Sequence, residues 1–153
     1  MDFTLITMSK IIHTEITIQS SPERVWEVFS DFKNYPAWNP FIKSIKGEVA
    51  VGNRLVVKME LPSGTKMTFS PKVLSYEKNK ELRWLGHSIF PGIFDGEHKF
   101  ELILNTDGTT TFQQSEKFNG ILVPLFKNVL DVHTVNGFNL MNKQLKELVE
   151  KRK

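Results

Sequence analysis

Two short stretches of the sequence hold the side chains best suited to chemistry. Between residues 94 and 104 one alternating face reads Phe94, His98, Phe100, Leu102 and Leu104, while the other carries Asp95, Glu97, Lys99 and Glu101. Between 109 and 119 the apolar phase reads Phe112, Gln114, Glu116 and Phe118. Asp107-Gly108 separates the stretches as a turn signal, so they are expected to pair as antiparallel neighbours, with His98 within a residue or two of Glu116 or Phe118. An imidazole and a carboxyl group facing each other among aromatic rings can pass a proton and do acid/base work. The same three residues, His98, Gln114 and Glu116, can instead form a polar island whose members satisfy one another. The sequence leaves both readings open.

Other chemistries are excluded by what is missing. The four histidines, His13, His87, His98 and His133, show neither HxH nor HExxH spacing, and the chain has no cysteine, so no metal site is expected. No phosphate-binding loop, dinucleotide glycine motif or GxSxG elbow occurs, and no cofactor is expected. Lysine and arginine number 20 against 17 acidic residues. They are scattered from Lys10 to Lys153, which argues against nucleic acid as a partner. A cysteine-free chain suits a reducing compartment, and the opening MDFTLITMSK lacks the features of a secretory signal. No stretch approaches the ~20 apolar residues of a spanning helix, so the cytoplasm is expected. Residues 1–10 read as a loosely ordered lead, with Met8 an alternative start; the oligomeric state is left open.

The elements that must position these residues follow from periodicity. Residues 11–19 alternate as a strand; SSPERVWEVFSD (20–31) carries a serine cap, Pro22 at a first helical position and an apolar face of Val25, Trp26, Val28 and Phe29. Pro36 and Pro40 limit the following NYPAWNPF to about one helical turn. Six further strands are expected at 43–50, 54–61, 66–76, 81–87, 94–105 and 109–119, joined mostly by short turns. From 123 to 151 apolar residues recur every three or four positions, which predicts a long amphipathic helix. A seven-stranded antiparallel sheet curled around that helix, with two short helices after the first strand, leaves a gap between sheet and helix. With 12 phenylalanines and three tryptophans, the chain has the side chains to line it.

Strand and helix phase then nominate the lining. Trp84, beside Gly86, reads as a wall; Met59, Met67 and Phe69 fall on inward phases; Phe126, Leu130, His133 or Thr134, Phe138 and Met141 form the helix stripe, and Gly137 permits a close approach. Trp38 and Asn39 stand at a bend that serves as a mouth or simply as a turn. The loop 87–96, with Phe90, Pro91, Ile93 and Phe94 together, reads as a lid or as a surface for a membrane or partner.

Several runs resemble a known superfamily: SSPERVWEVFSDFKNYPAWNPFIKSIKGE, then GNRL (52–55), ELRWLG (81–86), FDGEHKFEL (94–102), TTTFQQSEKFNGIL (109–122) and the ending MNKQLKELVE. From about residue 11 to 150 the chain is similar to START/Bet v 1-like (SRPBCC) proteins, most of all the polyketide cyclase/dehydrase-type or coenzyme-Q-binding-type branch. The resemblance implies an α+β helix-grip fold across a single ligand-binding domain, 1–153, whose cavity takes lipids, quinones, polyketides or aromatic metabolites. Fold alone does not choose among carrier, enzyme and interaction module. The leading expectation is a binder or carrier of a small hydrophobic molecule, its polar end oriented by His98, Gln114 and Glu116. A cyclase or dehydratase using His98 and Glu116 as acid and base is the second, and a protein-interaction module working through 87–96 is the third.

Overall fold

A computed structural model describes residues 9–88 and 91–151. The first strand, β1 (Ser9–Ile18), leads into helix α1 (Pro22–Phe29). Ser21 caps α1 by accepting from the Arg24 backbone N–H at 3.3 Å, and Pro22 opens it where its missing N–H costs nothing. The apolar face of α1 buries Val25, Trp26, Val28 and Phe29. A 3₁₀ turn (Phe32–Asn34) and the one-turn helix α2 (Tyr35–Trp38) follow. Tyr35, fully buried, donates its hydroxyl to the Phe29 carbonyl at 2.6 Å and locks the short helices together.

Strands β2 (Ile42–Lys46), β3 (Val56–Glu60) and β4 (Lys66–Phe69) pair in that order as one antiparallel ladder. Strands β5 (Lys72–Glu77), β6 (Glu81–Ser88), β7 (Phe94–Leu104) and β8 (Thr110–Asn119) continue the chain, and β1 pairs beside β8 to give the order β1-β8-β7-β6-β5. The strand expected over 66–76 is thus two, β4 and β5. Pro71 lies at the break and cannot donate to a ladder, although the Arg54–Lys72 bridge still joins the two ladders locally. The resulting fold is α+β, antiparallel strands wrapped around a C-terminal helix in the helix-grip manner.

That helix differs from the expected continuous 123–151. It begins with a 3₁₀ turn (Val123–Phe126), passes through a π-helical segment (Val129–Thr134) and becomes regular only in α3 (Val135–Lys151). Pro124 suits the tight first turn. The β-branched Val129, Val132, Thr134 and Val135 crowd the stretch where α-helical pitch is abandoned. Further along, α3 is tied to β1 by Lys146, which donates to the Thr17 carbonyl at 2.7 Å, and by Glu150, which accepts from the Gln19 N–H at 2.9 Å. Gly137 brings α3 against Phe41: a Cβ there would meet the Phe41 ring at 2.6 Å. The close approach expected of this glycine is therefore made to a core phenylalanine.

The expected lead over 1–10 and the Met8 start fall largely outside the described residues, with Ser9 and Lys10 already in β1. The expected loop over 87–96 is shorter. His87 and Ser88 end β6, Phe94 starts β7, and residues 89–90, including Phe90, lie outside the described residues. Its far side is tied down, since Ile121 and Leu122 donate to the carbonyls of Gly92 and Ile93. Gly120 makes this possible: at φ 132° it is free of a Cβ that would stand 2.3 Å from the Ile93 carbonyl oxygen.

Candidate functional site

The register of β7 and β8 sets His98 directly opposite Glu116 and Phe100 opposite Gln114. On the other side of β7, Trp84 lies opposite His98 and Gly86 opposite Gly96. Period-two alternation therefore gathers Trp84, His98, Phe100, Gln114 and Glu116 on one face, beneath α3. Phe100 stacks on the His98 ring at 4.1 Å between centroids, Phe138 of α3 reaches it at 4.8 Å and Trp84 at 5.7 Å.

Within this apolar setting a chain of polar groups crosses from sheet to helix and back. His98 Nε2 meets Gln114 Oε1 at 3.0 Å. Gln114 Nε2 donates to Asn142 Oδ1 at 2.7 Å and to the Phe138 carbonyl at 3.3 Å. Asn142 Nδ2 in turn donates to Thr14 Oγ1 at 3.0 Å. His98, Gln114, Asn142 and Thr14 are all buried. On the other side of the imidazole, Nδ1 stands 3.6 Å from Glu116 Oε2, beyond direct hydrogen-bond length. Gly96 lets the carboxyl group lie flat, because a Cβ there would come within 2.7 Å of Glu116 Oε1.

Asn142 and Thr14 were not singled out from sequence. The signal was available in part: Asn142 follows Met141 on the helix, one step off the apolar stripe, and Thr14 holds the inward phase of β1 opposite Gln114.

The other nominated residues scatter. Met59, Leu130, Phe138 and Met141 are buried core, and Phe69 is half-buried, its ring 3.4 Å from where a Gly86 Cβ would be. Met67 is expected inward but 45% exposed, because β4 is an edge strand with nothing beyond it. Phe126 is 38% exposed and packs edge-on to Phe94, since the 3₁₀ turn rotates it off the stripe. Of His133 and Thr134, Thr134 is the buried one. Trp38 is half-buried against Tyr35, and Asn39 acts as a turn-maker, its Oδ1 accepting from the N–H groups of Phe41 and Ile42 at 2.9 Å each. Three buried donors, Trp84 Nε1, Asn39 Nδ2 and Arg83 Nε, have no partner among the described residues. The gap expected between sheet and helix is filled around His98 by Trp84, Phe100 and Phe138. A surface depression of about 190 Å³ lies beside Lys10, Pro124 and Lys127; a second of about 240 Å³, beside Arg83, Glu97 and Lys117, is lined in part by Glu116, and His98 lines neither.

The opposite face of the same strands carries charge. Arg83 pairs with Glu81 at 3.0 Å and Glu97 at 3.7 Å, and Lys99 with Glu101 at 2.8 Å. Burial works to raise the Glu81 carboxyl, but hydrogen bonds from Ser75 and Arg83 with the nearby cations hold it below its ordinary range. The Glu101 carboxylate raises Lys99. Among the described residues no three His, Asp or Glu side chains gather as metal ligands, and no helix is long and apolar enough to cross a membrane.

Residues 10–151 match the family described as polyketide cyclase/dehydrase and lipid transport. Solved structures share the fold at low identity. Norcoclaurine synthase from Thalictrum flavum, in complex with dopamine and hydroxybenzaldehyde, is 16% identical with a TM-score of 0.72, over 96% of this chain and 90% of that one. A START superfamily protein from Mycobacterium smegmatis is 20% identical with a TM-score of 0.69, over 94% and 99%. The di-domain ARO/CYC StfQ of the steffimycin biosynthetic pathway is 9% identical with a TM-score of 0.74, over 95% of this chain and 52% of that one. No curated protein sequence matches the chain.

Proposed function

This chain belongs to the polyketide cyclase/dehydrase and lipid transport family, and on that premise we propose that it binds and carries a small hydrophobic molecule between the sheet and α3, with the polar end of the ligand at His98 and Glu116. One observation carries the reading. In an interior of aromatic rings, the imidazole Nδ1 and the Glu116 carboxyl group face each other without a hydrogen bond, whereas every polar atom of Gln114 is engaged inside the protein. Gln114 therefore supports the site rather than touching the ligand. Because Trp84, Phe100 and Phe138 fill the space around His98, the ligand enters as these rings part, and the π-helical segment (Val129–Thr134) is the least regular part of the helix that must yield. The cysteine-free composition favours the cytoplasm as its compartment.

Organic extraction of purified protein, followed by mass spectrometry, should yield a co-purifying apolar molecule, and that molecule should displace a fluorescent apolar probe. A folded protein that takes up no such probe and yields no such molecule would remove the reading.

A catalytic reading, cyclase or dehydratase, rests on the same 3.6 Å pair acting as acid and base. His98→Gln would then lower turnover of an aromatic or polyketide-like substrate by about 10²–10⁴-fold with affinity nearly unchanged. Contact with a membrane near the 87–96 loop is favoured by Ile121 and Leu125, which are exposed beside the loop residues to which this segment is bonded. Leu125→Asp should then abolish co-sedimentation with anionic phospholipid vesicles.

A further inference from the structure

The buried polar chain has a direction, and one atom sets it. The Phe138 carbonyl oxygen can only accept, so the end of the Gln114 amide facing it at 3.3 Å is the NH₂ group. The Asn142–Thr14 link agrees, with Asn142 Oδ1 accepting from Gln114 and its Nδ2 donating onward to Thr14. Gln114 Oε1 is then the atom facing His98, and since a carbonyl oxygen can only accept, His98 Nε2 carries a proton. A neutral ring protonated at Nε2 is bare at Nδ1. That bare nitrogen faces Glu116 Oε2, itself an acceptor when ionised.

We infer that Gln114 and Asn142 are positioning residues that hold His98 as its Nε2–H tautomer, so that the site presents two acceptors, His98 Nδ1 and the Glu116 carboxylate, and selects a ligand ending in a hydroxyl group. The hydroxyl is singled out because it donates to an acceptor while its oxygen remains free to accept. The buried indole N–H of Trp84, whose ring neighbours that of His98, is a donor with no partner among the described residues. An ether or ester of the same shape can accept but cannot donate, and it sets a lone pair against two others. The hydroxyl preference rests on the binding reading above; the tautomer does not.

The test separates the two. Nitrogen-15 NMR of the ligand-free protein at pH 8 should show His98 protonated at Nε2 alone. A ring protonated at Nδ1, or at both nitrogens, overturns the inference. Gln114→Leu should release the ring to a mixture of tautomers, while Asn142→Asp, which still accepts from Gln114, should keep the single one; should Gln114→Leu fail to fold, the wild-type spectrum decides. Binding is then read with 2-naphthol against 2-methoxynaphthalene. The naphthol should bind at least about tenfold tighter, because a site built around a hydroxyl leaves buried polar groups unpaired when the hydroxyl is capped. Equal affinity, or tighter binding of the ether, overturns the hydroxyl preference. If neither probe binds while His98 is protonated at Nε2, the binding reading falls and the tautomer lock stands.

Discussion

The two faces of β6, β7 and β8 hold similar side chains under opposite conditions. Outside, Glu81, Arg83, Glu97, Lys99 and Glu101 form a mesh of ion pairs in water, each member partly exposed. Inside, one imidazole, two amides and a threonine hydroxyl are strung in a single hydrogen-bonded line under α3, with the Glu116 carboxyl group 3.6 Å from the imidazole. Solvent makes the difference. An outer pair that breaks regains water, so each is worth little, whereas an inner group that loses its partner stays buried with its hydrogen bond unmade.

Gln114→Leu should give the largest effect, because it strips partners from both His98 Nε2 and Asn142 Oδ1. Two buried groups left unsatisfied cost roughly 2–5 kcal/mol, read as a lower urea midpoint at unchanged slope. A loss below about 1 kcal/mol would mean that water replaces the amide and that the inner face is no drier than the outer. Gly137→Ala should follow at about 1–3 kcal/mol, since its methyl group must displace the Phe41 ring; thermal unfolding would show it.

Tyr35 sharpens the comparison through pH. Burial pushes its phenol well above the ordinary range, helped by the nearby Tyr76 and Asp31. The folded protein thus keeps a proton that the unfolded chain loses near pH ~10. The stabilisation is intact below that pH and is lost as pH rises through the folded value. Tyr35→Phe should cost about 1 kcal/mol at neutral pH for the lost bond to Phe29, and stability above pH ~10 should fall less steeply than in the wild type.

The smallest change belongs outside. Lys99→Ala should cost under about 1 kcal/mol, and the cost should shrink further in high salt. A salt-insensitive loss of several kcal/mol would show that the outer mesh is as consequential as the inner line.

The sequence was sufficient wherever a local rule governs. Alternation in 94–104 and 109–119 assigns His98, Gln114 and Glu116 to the inward side, and the Asp107-Gly108 turn makes the two strands neighbours, because side-chain phase along a strand is fixed by the backbone. Ser21 and Pro22 mark the start of α1 for an equally local reason. The break between β4 and β5 has a local cause as well, since Pro71 has no N–H to donate to a ladder.

Tertiary structure decided what depends on distant partners. Met67 carries the inward pattern but lies on an edge, and no neighbour covers it. The turn preceding α3 sets whether Phe126 faces the core. Above all, the direction of the buried hydrogen-bonded line comes from Phe138, 24 residues beyond Gln114. An amide has no preferred orientation of its own; it acquires one only when folding brings a carbonyl that can do nothing but accept against one of its ends.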